Sequence, residues 1–193
     1  MAKQTRQTIL NTFKSLLDEK DFDKITVVEI VGRCGINRNT FYYYFQDIYA
    51  VLIAWLTQSW EKHVAANPKN TELQDVFMRT TSFVRTHKTS FYHLYRSISY
   101  SSLWRCLEDT SYENFMAYLE RKAGSLVIAS EDMRALCAFY TAAMNGVLLR
   151  WINDDMKYDL EPYIQRVCKV MEKSISQQLQ MLAQEDDKTC VSM

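Results

Sequence analysis

The sequence predicts an all-α protein of about nine helices, and three observations support this fold class. The 193 residues include only 2 prolines and 4 glycines, whereas the tight turns of a strand-rich fold use these residues freely. Apolar residues make up 48% of the chain, which is enough to bury a substantial core. They recur mainly at spacings of three and four residues, as in amphipathic helices. We therefore expect long helices joined by few connections.

The first predicted helix is amphipathic and ends near residues 21–23. Ile9, Phe13 and Leu16 lie about one helical turn apart and form its apolar face. Thr26 and Glu29 then have the spacing of a capping box, which begins a second, short helix running through Cys34. In such a box the threonine hydroxyl accepts from the Glu29 amide, and the Glu29 carboxylate reaches back to the Thr26 amide.

A third short helix is predicted to run through Tyr44. Gly35 supplies a residue that is free to adopt a positive φ angle, and Asn37 is a good N-cap. Two short helices joined by such a turn and packed on a preceding helix form a helix-turn-helix, whose second helix fits the DNA major groove. We expect a small three-helix core made of Ile9, Phe13, Leu16, Ile30, Val31, Ile36, Phe41 and Phe45.

A larger antiparallel helical bundle is predicted for the rest of the chain. An apolar-periodic helix runs from Asp47 to about Ala66 and ends before the turn-rich residues 67–70, a candidate domain boundary. This organisation divides the chain into residues 1–46, a connecting helix and linker at 47–68, and residues 69–193. Further helices are predicted at about 71–87, 90–98, 102–122, 131–152 and 160–184, with Ser90 and Ser130 as N-caps, Gly124 in a loop and Pro162 in a first turn.

The last two predicted helices carry apolar stripes that suit the seam of a helical bundle. One interpretation is that the stripes form only the core of their own chain. The other is that the two helices also form a four-helix interface in a homodimer. The residues assigned to that interface are Leu136, Ala143, Val147, Ile164, Val167, Met171, Ile175 and Leu179.

Charge and cysteine content restrict the function classes and the compartment. The formal net charge is zero, so DNA affinity would have to come from a local patch. The five cysteines are widely spaced and odd in number, which argues against a disulfide framework and favours the reducing cytoplasm. We expect neither export nor membrane insertion, because the N-terminus has no signal-type apolar run and no stretch approaches about 18 consecutive apolar residues.

The segment from Ile25 to Phe45 resembles the DNA-binding signature of the TetR/AcrR family of bacterial transcription regulators. The resemblance includes the capping threonine, Gly35 with the aliphatic Ile36 after it, and the pattern Phe41-Tyr42-x-x-Phe45 in register. It implies a helix-turn-helix N-terminal domain, a helical C-terminal domain for ligand binding and dimerisation, and double-stranded operator DNA as the partner. The stretch Asn145 to Ile152 followed by Asp155-Met156 resembles the penultimate helix and turn of a bacterial subgroup of these regulators.

The third helix carries many polar-tipped side chains, which suit groove and phosphate contacts better than a core. Arg38 is suited to the O6 and N7 atoms of guanine, and the tyrosine hydroxyls to phosphates. The resemblance implies phosphate contacts by Thr26 and Tyr42, and base contacts by residues 38–40 and Tyr43. Where the family commonly has a lysine at the start of the fourth helix, this chain has Asp47-Ile48. The predicted DNA-binding residues are Thr26, Arg38, Asn39, Thr40, Tyr42, Tyr43 and Tyr44, with possible additional phosphate contacts from Lys3, Arg6, Lys24 and Arg33.

The C-terminal half is rich in aromatic residues and methionine, which is typical of a helical core. The resemblance implies, in addition, a pocket there for a small-molecule effector that releases a repressor from a palindromic operator. The candidate ligand-binding residues are Phe83, Tyr95, Trp104, Phe115, Tyr140 and Met144.

Two other function classes compete with this interpretation. The first keeps the fold but makes the protein a coregulator or activator controlled by a partner protein, which the neutral charge and the absent lysine favour. The second is a helical enzyme, which the sequence does not support: His63, His87 and His93 are scattered, and no metal-binding or phosphate-loop motif is present. We therefore expect no catalytic residues, no metal and no cofactor.

Overall fold

The computed structural model describes residues 2–66, 72–97 and 100–191. In these residues it contains nine α-helices, one short 3-10 helix at Phe22–Lys24 and no strand, which confirms the all-α prediction. The helices are α1 (Ala2–Glu19), α2 (Val27–Cys34), α3 (Arg38–Tyr44), α4 (Ile48–Ala66), α5 (Leu73–Thr86), α6 (Lys88–Ser97), α7 (Tyr100–Ala123), α8 (Ser130–Asn153) and α9 (Glu161–Val191).

The chain divides into two compact units. The first unit contains Met1–Asn67 together with Phe83–Cys106, and the second contains Pro68–Ser82 together with Leu107–Met193. This spatial division falls inside α5 and inside α7, so it does not follow the predicted domain limits of 1–46, 47–68 and 69–193, which remain predictions. The turn-rich boundary at 67–70 lies outside the described residues.

The first unit is built on an apolar core shared by α1 to α4. Seven of the eight residues expected in this core are buried, and Ile36 is partly buried against the same cluster. The core also extends beyond the three-helix motif, because Val51, Leu52 and Trp55 of α4 are buried in it. The three N-terminal helices are therefore packed on an apolar core that α4 completes.

Two of the predicted helix starts are wrong. α6 begins at Lys88, so Ser90 lies inside the helix, where it is buried and its hydroxyl donates to Asp18 at 2.6 Å. At the start of α8 the N-cap is Ala129 and makes no side-chain capping bond, while Ser130 is the first helical residue. Neither serine is therefore an N-cap: Ser90 is the third residue of α6, and Ser130 is the first residue of α8.

In the second unit, α8 and α9 lie side by side and antiparallel. The Tyr140 hydroxyl donates to Gln178 at 2.9 Å, while the other end of α8 shares a groove with Tyr163 near the start of α9. As expected, Pro162 lies in the first turn of α9, and Gly124 lies in the loop after α7 with a φ angle of 58°. α8 is long and apolar enough to cross a membrane, but half of its most apolar stretch is buried inside the protein, as in the core helix of a globular fold.

Candidate nucleic-acid interface

The turn between α2 and α3 forms as the sequence predicts. The Glu29 amide donates to the Thr26 hydroxyl at 3.2 Å, and Gly35 adopts a left-handed conformation with a φ angle of 65°. The Ile36 amide donates to the Val31 carbonyl at 3.1 Å, which ends α2 in a Schellman-type turn. The Asn37 side chain then accepts from the Thr40 amide at 2.8 Å and begins α3. Each end of the turn is thus closed by a specific hydrogen bond.

One part of the capping box differs from the prediction. The Glu29 carboxylate bonds the Lys20 ammonium group, at 2.8 and 2.6 Å, and lies 3.4 Å from Arg33. The Thr26 hydroxyl is exposed and uses a lone pair for the cap, so its hydrogen remains able to donate to a phosphate oxygen.

α3 presents one buried face and one exposed face. Phe41 is fully buried, and Phe45 just after the helix is buried with it. On the exposed side, Tyr43 is 79% exposed and Tyr42 is 54% exposed. Arg38 and Asn39 are also exposed, in the first turn of the helix. Phe41 and Phe45 therefore hold α3 in place, and the four exposed side chains extend from its other side.

Two of the predicted DNA-contacting side chains have structural roles as well. The Thr40 hydroxyl donates to the Asn37 side chain at 3.0 Å, so its hydrogen is used within the N-terminal cap. Tyr44 is half-buried and packs against the apolar core, with its ring 4.9 Å from that of Tyr43 and nearly perpendicular to it. Tyr44 therefore supports Tyr43, and its contact with DNA stays a prediction.

Three of the four basic side chains predicted to add phosphate contacts have partners within the protein, and the fourth, Lys3, is exposed. Arg33 forms two 2.7 Å hydrogen bonds with Glu19, and Lys24 lies 3.3 Å from Asp21. The Arg6 guanidinium lies over the Phe45 ring, 5.3 Å from its centre. The positive charge available to phosphates is therefore smaller than the sequence suggests.

The start of α4 also differs from the expected family pattern in its chemistry. Asp47 caps the helix by accepting from the Ala50 amide at 2.8 Å. Ile48 is partly buried and packs against the core of the first unit. The position that commonly holds a lysine is therefore used here for packing.

Family models match both halves of the chain. Residues 9–54 match the model described as bacterial regulatory proteins of the tetR family. Residues 71–173 match a second tetR model, described as a transcriptional regulator C-terminal region. The chain belongs to the TetR family. It is therefore a DNA-binding transcription regulator, and the resemblance of Ile25–Phe45 is confirmed.

Solved structures share the fold of this TetR-family chain. The dihydroxyacetone kinase operon activator DhaS has a TM-score of 0.64 and 17% identity, covering 89% of this chain and 96% of its own. The repressor AlkX from Dietzia sp. strain DQ12-45-1b, implicated in biodegradation of n-alkanes, has a TM-score of 0.53 and 17% identity, with coverage of 92% and 96%. The fatty acid degradation regulator FadR from Bacillus halodurans has a TM-score of 0.51 and 20% identity, with coverage of 90% and 93%. A search of the curated proteins found no match.

The structure separates the candidate ligand-binding residues of this TetR-family protein into two groups. Phe83, Tyr95 and Trp104 belong to the first unit, where the Phe83 ring packs edge-on against Trp60 and Phe91. The second group belongs to the second unit, where the Phe115 and Tyr140 rings lie 5.6 Å apart. The members of the second group are Phe115, Tyr140 and Met144. The six residues are therefore not all found in one unit.

The candidate dimer residues also divide into two groups, and the prediction for three of them is corrected. Ile164, Ile175 and Leu179 are at most 2% exposed because they fill the core of their own chain. Ala143 is exposed, and the remaining members are partly buried: Leu136, Val147, Val167 and Met171.

The sequence did not identify several exposed apolar side chains that lie near Ala143 on α8 and α9. Phe139 is 67% exposed and Val170 is 72% exposed. Phe139 lies one turn before Ala143 on α8, and Val170 lies two turns after Tyr163 on α9, so both continue the surface around the groove between the helices. We call this surface the α8–α9 face; its exposed apolar members are Phe139, Ala143, Tyr163, Val170 and Met181.

Proposed function

We propose that this TetR-family regulator is a cytoplasmic homodimer that represses transcription by binding a palindromic operator and leaves it when a small-molecule effector binds. The observation that carries the DNA-binding role is the exposed side of α3. Arg38, Asn39, Tyr42 and Tyr43 extend from a helix whose other side is held by a fully buried Phe41. This mount favours tight binding because the backbone of α3 is already ordered before association, so that only the exposed side chains remain to be ordered.

The chemistry of these side chains suggests a division of roles. Arg38 has the planar donor pair that recognises guanine, and Asn39 has the amide that recognises adenine. The hydroxyls of Thr26 and Tyr42 are suited to phosphate oxygens, which position the motif without reading sequence. Tyr43, the most exposed of the three tyrosines, is suited to base edges and thymine methyl groups.

The α8–α9 face is the surface that we propose for dimerisation. It exposes large apolar side chains on two adjacent antiparallel helices, and a second copy of the same face would bury them in a four-helix arrangement. Such self-complementary contacts give two-fold symmetry. Two-fold symmetry in turn requires a palindromic site, with recognition helices about 34–36 Å apart when they occupy successive major grooves.

The experiment that tests this proposal is selection of binding sites from randomised duplexes by the full-length protein. We expect a two-fold symmetric sequence to be enriched. Arg38→Ala should relax the preference at one position in each half-site, whereas Tyr42→Phe should weaken all sequences alike because it removes a phosphate contact. Recovery of no symmetric sequence by the wild-type protein would contradict the proposal.

A second candidate function is a coregulator or activator controlled by a partner protein. Its support is the start of α4, where Ile48 packs into the core instead of offering a cation to DNA. One structure that shares the fold is described as an operon activator. This candidate would be favoured if the protein alone showed no sequence-selective DNA binding and the addition of a partner protein produced it. Neither candidate requires catalysis.

A further inference from the structure

Arg6 lies near the start of α1 and reaches the end of the recognition helix α3. Its guanidinium carbon lies 5.3 Å from the centre of the ring of Phe45, the C-cap residue of α3. Arg6 is partly buried, whereas Phe45 is only 5% exposed. Ile9 and Leu10, one helical turn further along α1, are buried in the core, so the stem of Arg6 continues the apolar side of the helix.

The positive charge of Arg6 is not neutralised by a carboxylate of the described residues. Arg33 differs in this respect, because its guanidinium bonds Glu19 at 2.7 Å. Within the part of the chain that the structure describes, Arg6 contacts the face of the Phe45 ring and forms no hydrogen bond or ion pair. A ring attracts a cation through its face and does not use the N–H groups at the edge of the guanidinium. Arg6 therefore keeps both its charge and its donors.

The helical turn that carries Arg6 is joined to α4 by the next residue. The side chains of Gln7 and Gln58 exchange two amide hydrogen bonds, of 3.0 and 2.8 Å. The ring contact restricts the Arg6 side chain itself, because a planar guanidinium packs well on an aromatic face. A donor that is already positioned loses less conformational freedom when it binds a partner. Arg6 is therefore positioned before DNA binds.

The two ends of α3 are associated with different cations. Arg38 is exposed at the first position of the helix, and Arg6 lies at the Phe45 end. A helix of seven residues is about 10 Å long. An α-helix with its side chains fills the major groove, which is roughly 12 Å wide, so a group beside the end of a docked helix lies close to the sugar-phosphate strands. A cation in this place is suited to phosphates.

The location of Arg6 also bears on the residue that the start of α4 lacks. Ile48, where the family commonly has a lysine, packs against the apolar core and offers no charge. Phe45 lies three residues before Ile48 and belongs to the same core. The cation over the Phe45 ring is therefore near the place of the absent lysine, although it comes from α1.

We propose that Arg6 is a phosphate-binding residue of this protein and takes the part of the lysine that is absent from α4. This inference deepens the proposed function and rests on it. Arg6 donates from the edge of its guanidinium to a phosphate oxygen while the face stays on the Phe45 ring. Phosphates carry no sequence information, so Arg6 contributes to affinity and salt dependence and not to the choice of operator.

The test measures the affinity of the full-length protein for two duplexes at several salt concentrations by fluorescence anisotropy. One duplex carries the selected symmetric operator, and the other has a random sequence. We expect Arg6→Gln to weaken binding to both duplexes by about tenfold. The slope of log affinity against log salt concentration should fall by about one for each bound subunit.

Neutral methylphosphonate groups, placed one at a time along the operator, identify the phosphate that Arg6 contacts. The wild-type protein should lose affinity at one position in each half-site where Arg6→Gln loses none. Arg6→Lys keeps the charge but lacks the planar group, so its affinity should lie between those of the wild-type protein and Arg6→Gln. Arg6→Lys takes the place of Arg6→Gln in both measurements if the latter does not fold.

Lys62→Gln is the matched control. Lys62 is exposed on α4 and, like Arg6, pairs with no carboxylate of the described residues. It lies about 21 Å along α4 from Ile48, and so far from the end of α3. Both variants remove one positive charge from the protein, so an effect of net charge alone would be the same in both. We expect Lys62→Gln to leave the salt dependence nearly unchanged.

The assignment of Arg6 is overturned if Arg6→Gln and Lys62→Gln bind alike, or if no methylphosphonate position distinguishes Arg6→Gln from the wild-type protein. A wild-type protein that selects no symmetric operator, yet binds the random duplex with a salt dependence that Arg6→Gln lowers, would overturn the proposed function and leave the assignment intact. Binding to neither duplex would overturn both.

Discussion

The Arg33 guanidinium donates two parallel hydrogen bonds, each 2.7 Å long, to the two carboxylate oxygens of Glu19. This pair joins the last residue of α1 to the last turn of α2. The hydrogen bond to Arg33 lowers the pKa of Glu19, and the hydrogen bond to Glu19 raises the pKa of Arg33. Arg33 is therefore committed to the scaffold, whereas Arg38, five residues later, is exposed on α3.

We predict that Arg38→Ala and Arg33→Ala affect DNA binding differently. Arg38→Ala should weaken operator binding by at least about tenfold and lower its salt dependence, because it removes a base contact and a cation near the phosphates. Arg33→Ala should change operator affinity by less than about threefold, since this side chain already binds a carboxylate. Fluorescence anisotropy at several salt concentrations checks both, and a larger loss for Arg33→Ala would contradict the assignment.

The α8–α9 face should hold the dimer together. Val170→Glu and Phe139→Glu each place a charge in the proposed apolar interface, and we expect either change to shift the protein to monomer and to weaken operator binding. Val127→Glu is a matched control, because Val127 is an equally exposed apolar residue (77%) in the loop before α8 and is not a member of this face. Light scattering after size exclusion gives the oligomeric state. A dimer that survives both changes would show that another surface pairs the chains.

Stability should fall as the pH drops from about 7 to 5, in part because of His87. Burial against Trp55 and Phe83, together with the nearby positive charge of Lys14, lowers the pKa of His87 from its ordinary value of 6.5, while Asp18 opposes this effect. The unfolded chain therefore binds the proton more readily than the folded chain. The stabilisation is present above about pH 6.5 and is lost as the pH falls below that value towards the folded-state pKa.

His87→Phe keeps an aromatic ring and removes the titrating group. We expect the midpoint of thermal unfolding to fall less between pH 7 and about pH 5 in this variant than in the wild-type protein. Scans at matched salt concentration measure the difference between the two proteins, in which the contribution of distant carboxylates cancels. Identical pH profiles would exclude His87 as a contributor.

Replacement by phenylalanine should affect stability differently at Tyr118 and at Tyr140. The Tyr118 hydroxyl is buried and has no hydrogen-bond partner among the described residues, and burial raises its pKa. Tyr118→Phe should therefore leave stability unchanged or raise it by up to about 2 kcal/mol, because it removes an unsatisfied polar group. Tyr140→Phe should lower stability by about 1 kcal/mol, because it removes the bond to Gln178. Chemical denaturation measures both, and a loss of stability in Tyr118→Phe would show that its hydroxyl is satisfied.

Local signals in the first 45 residues were sufficient to predict the recognition motif. Thr26, Gly35 and Asn37 act through hydrogen bonds and backbone angles that involve residues only a few positions away. The apolar spacing around Phe41 then specifies which side of α3 is buried. Such features depend on neighbours along the chain, so a single sequence contains them.

The apolar stripes of α8 and α9 show where this reasoning fails. Periodicity identifies an apolar side of a helix, but a long bundle helix can have apolar residues on two sides. Ile164, Ile175 and Leu179 face inward, while Val170 and Tyr163 face outward. Both groups have helical spacing, and only the packing of α8 against α9 distinguishes them.

The amino-acid order alone determined the helical class, the helix-turn-helix and the family, because each depends on short-range spacing, capping and turn chemistry. Tertiary structure decided that Arg33 is paired with Glu19, that Ile48 packs in the core and that Asn145 is buried beside Ser111. These outcomes depend on groups brought together from distant parts of the chain. Whether a polar atom is satisfied, or an apolar side chain is covered, is a property of that three-dimensional neighbourhood and not of local spacing.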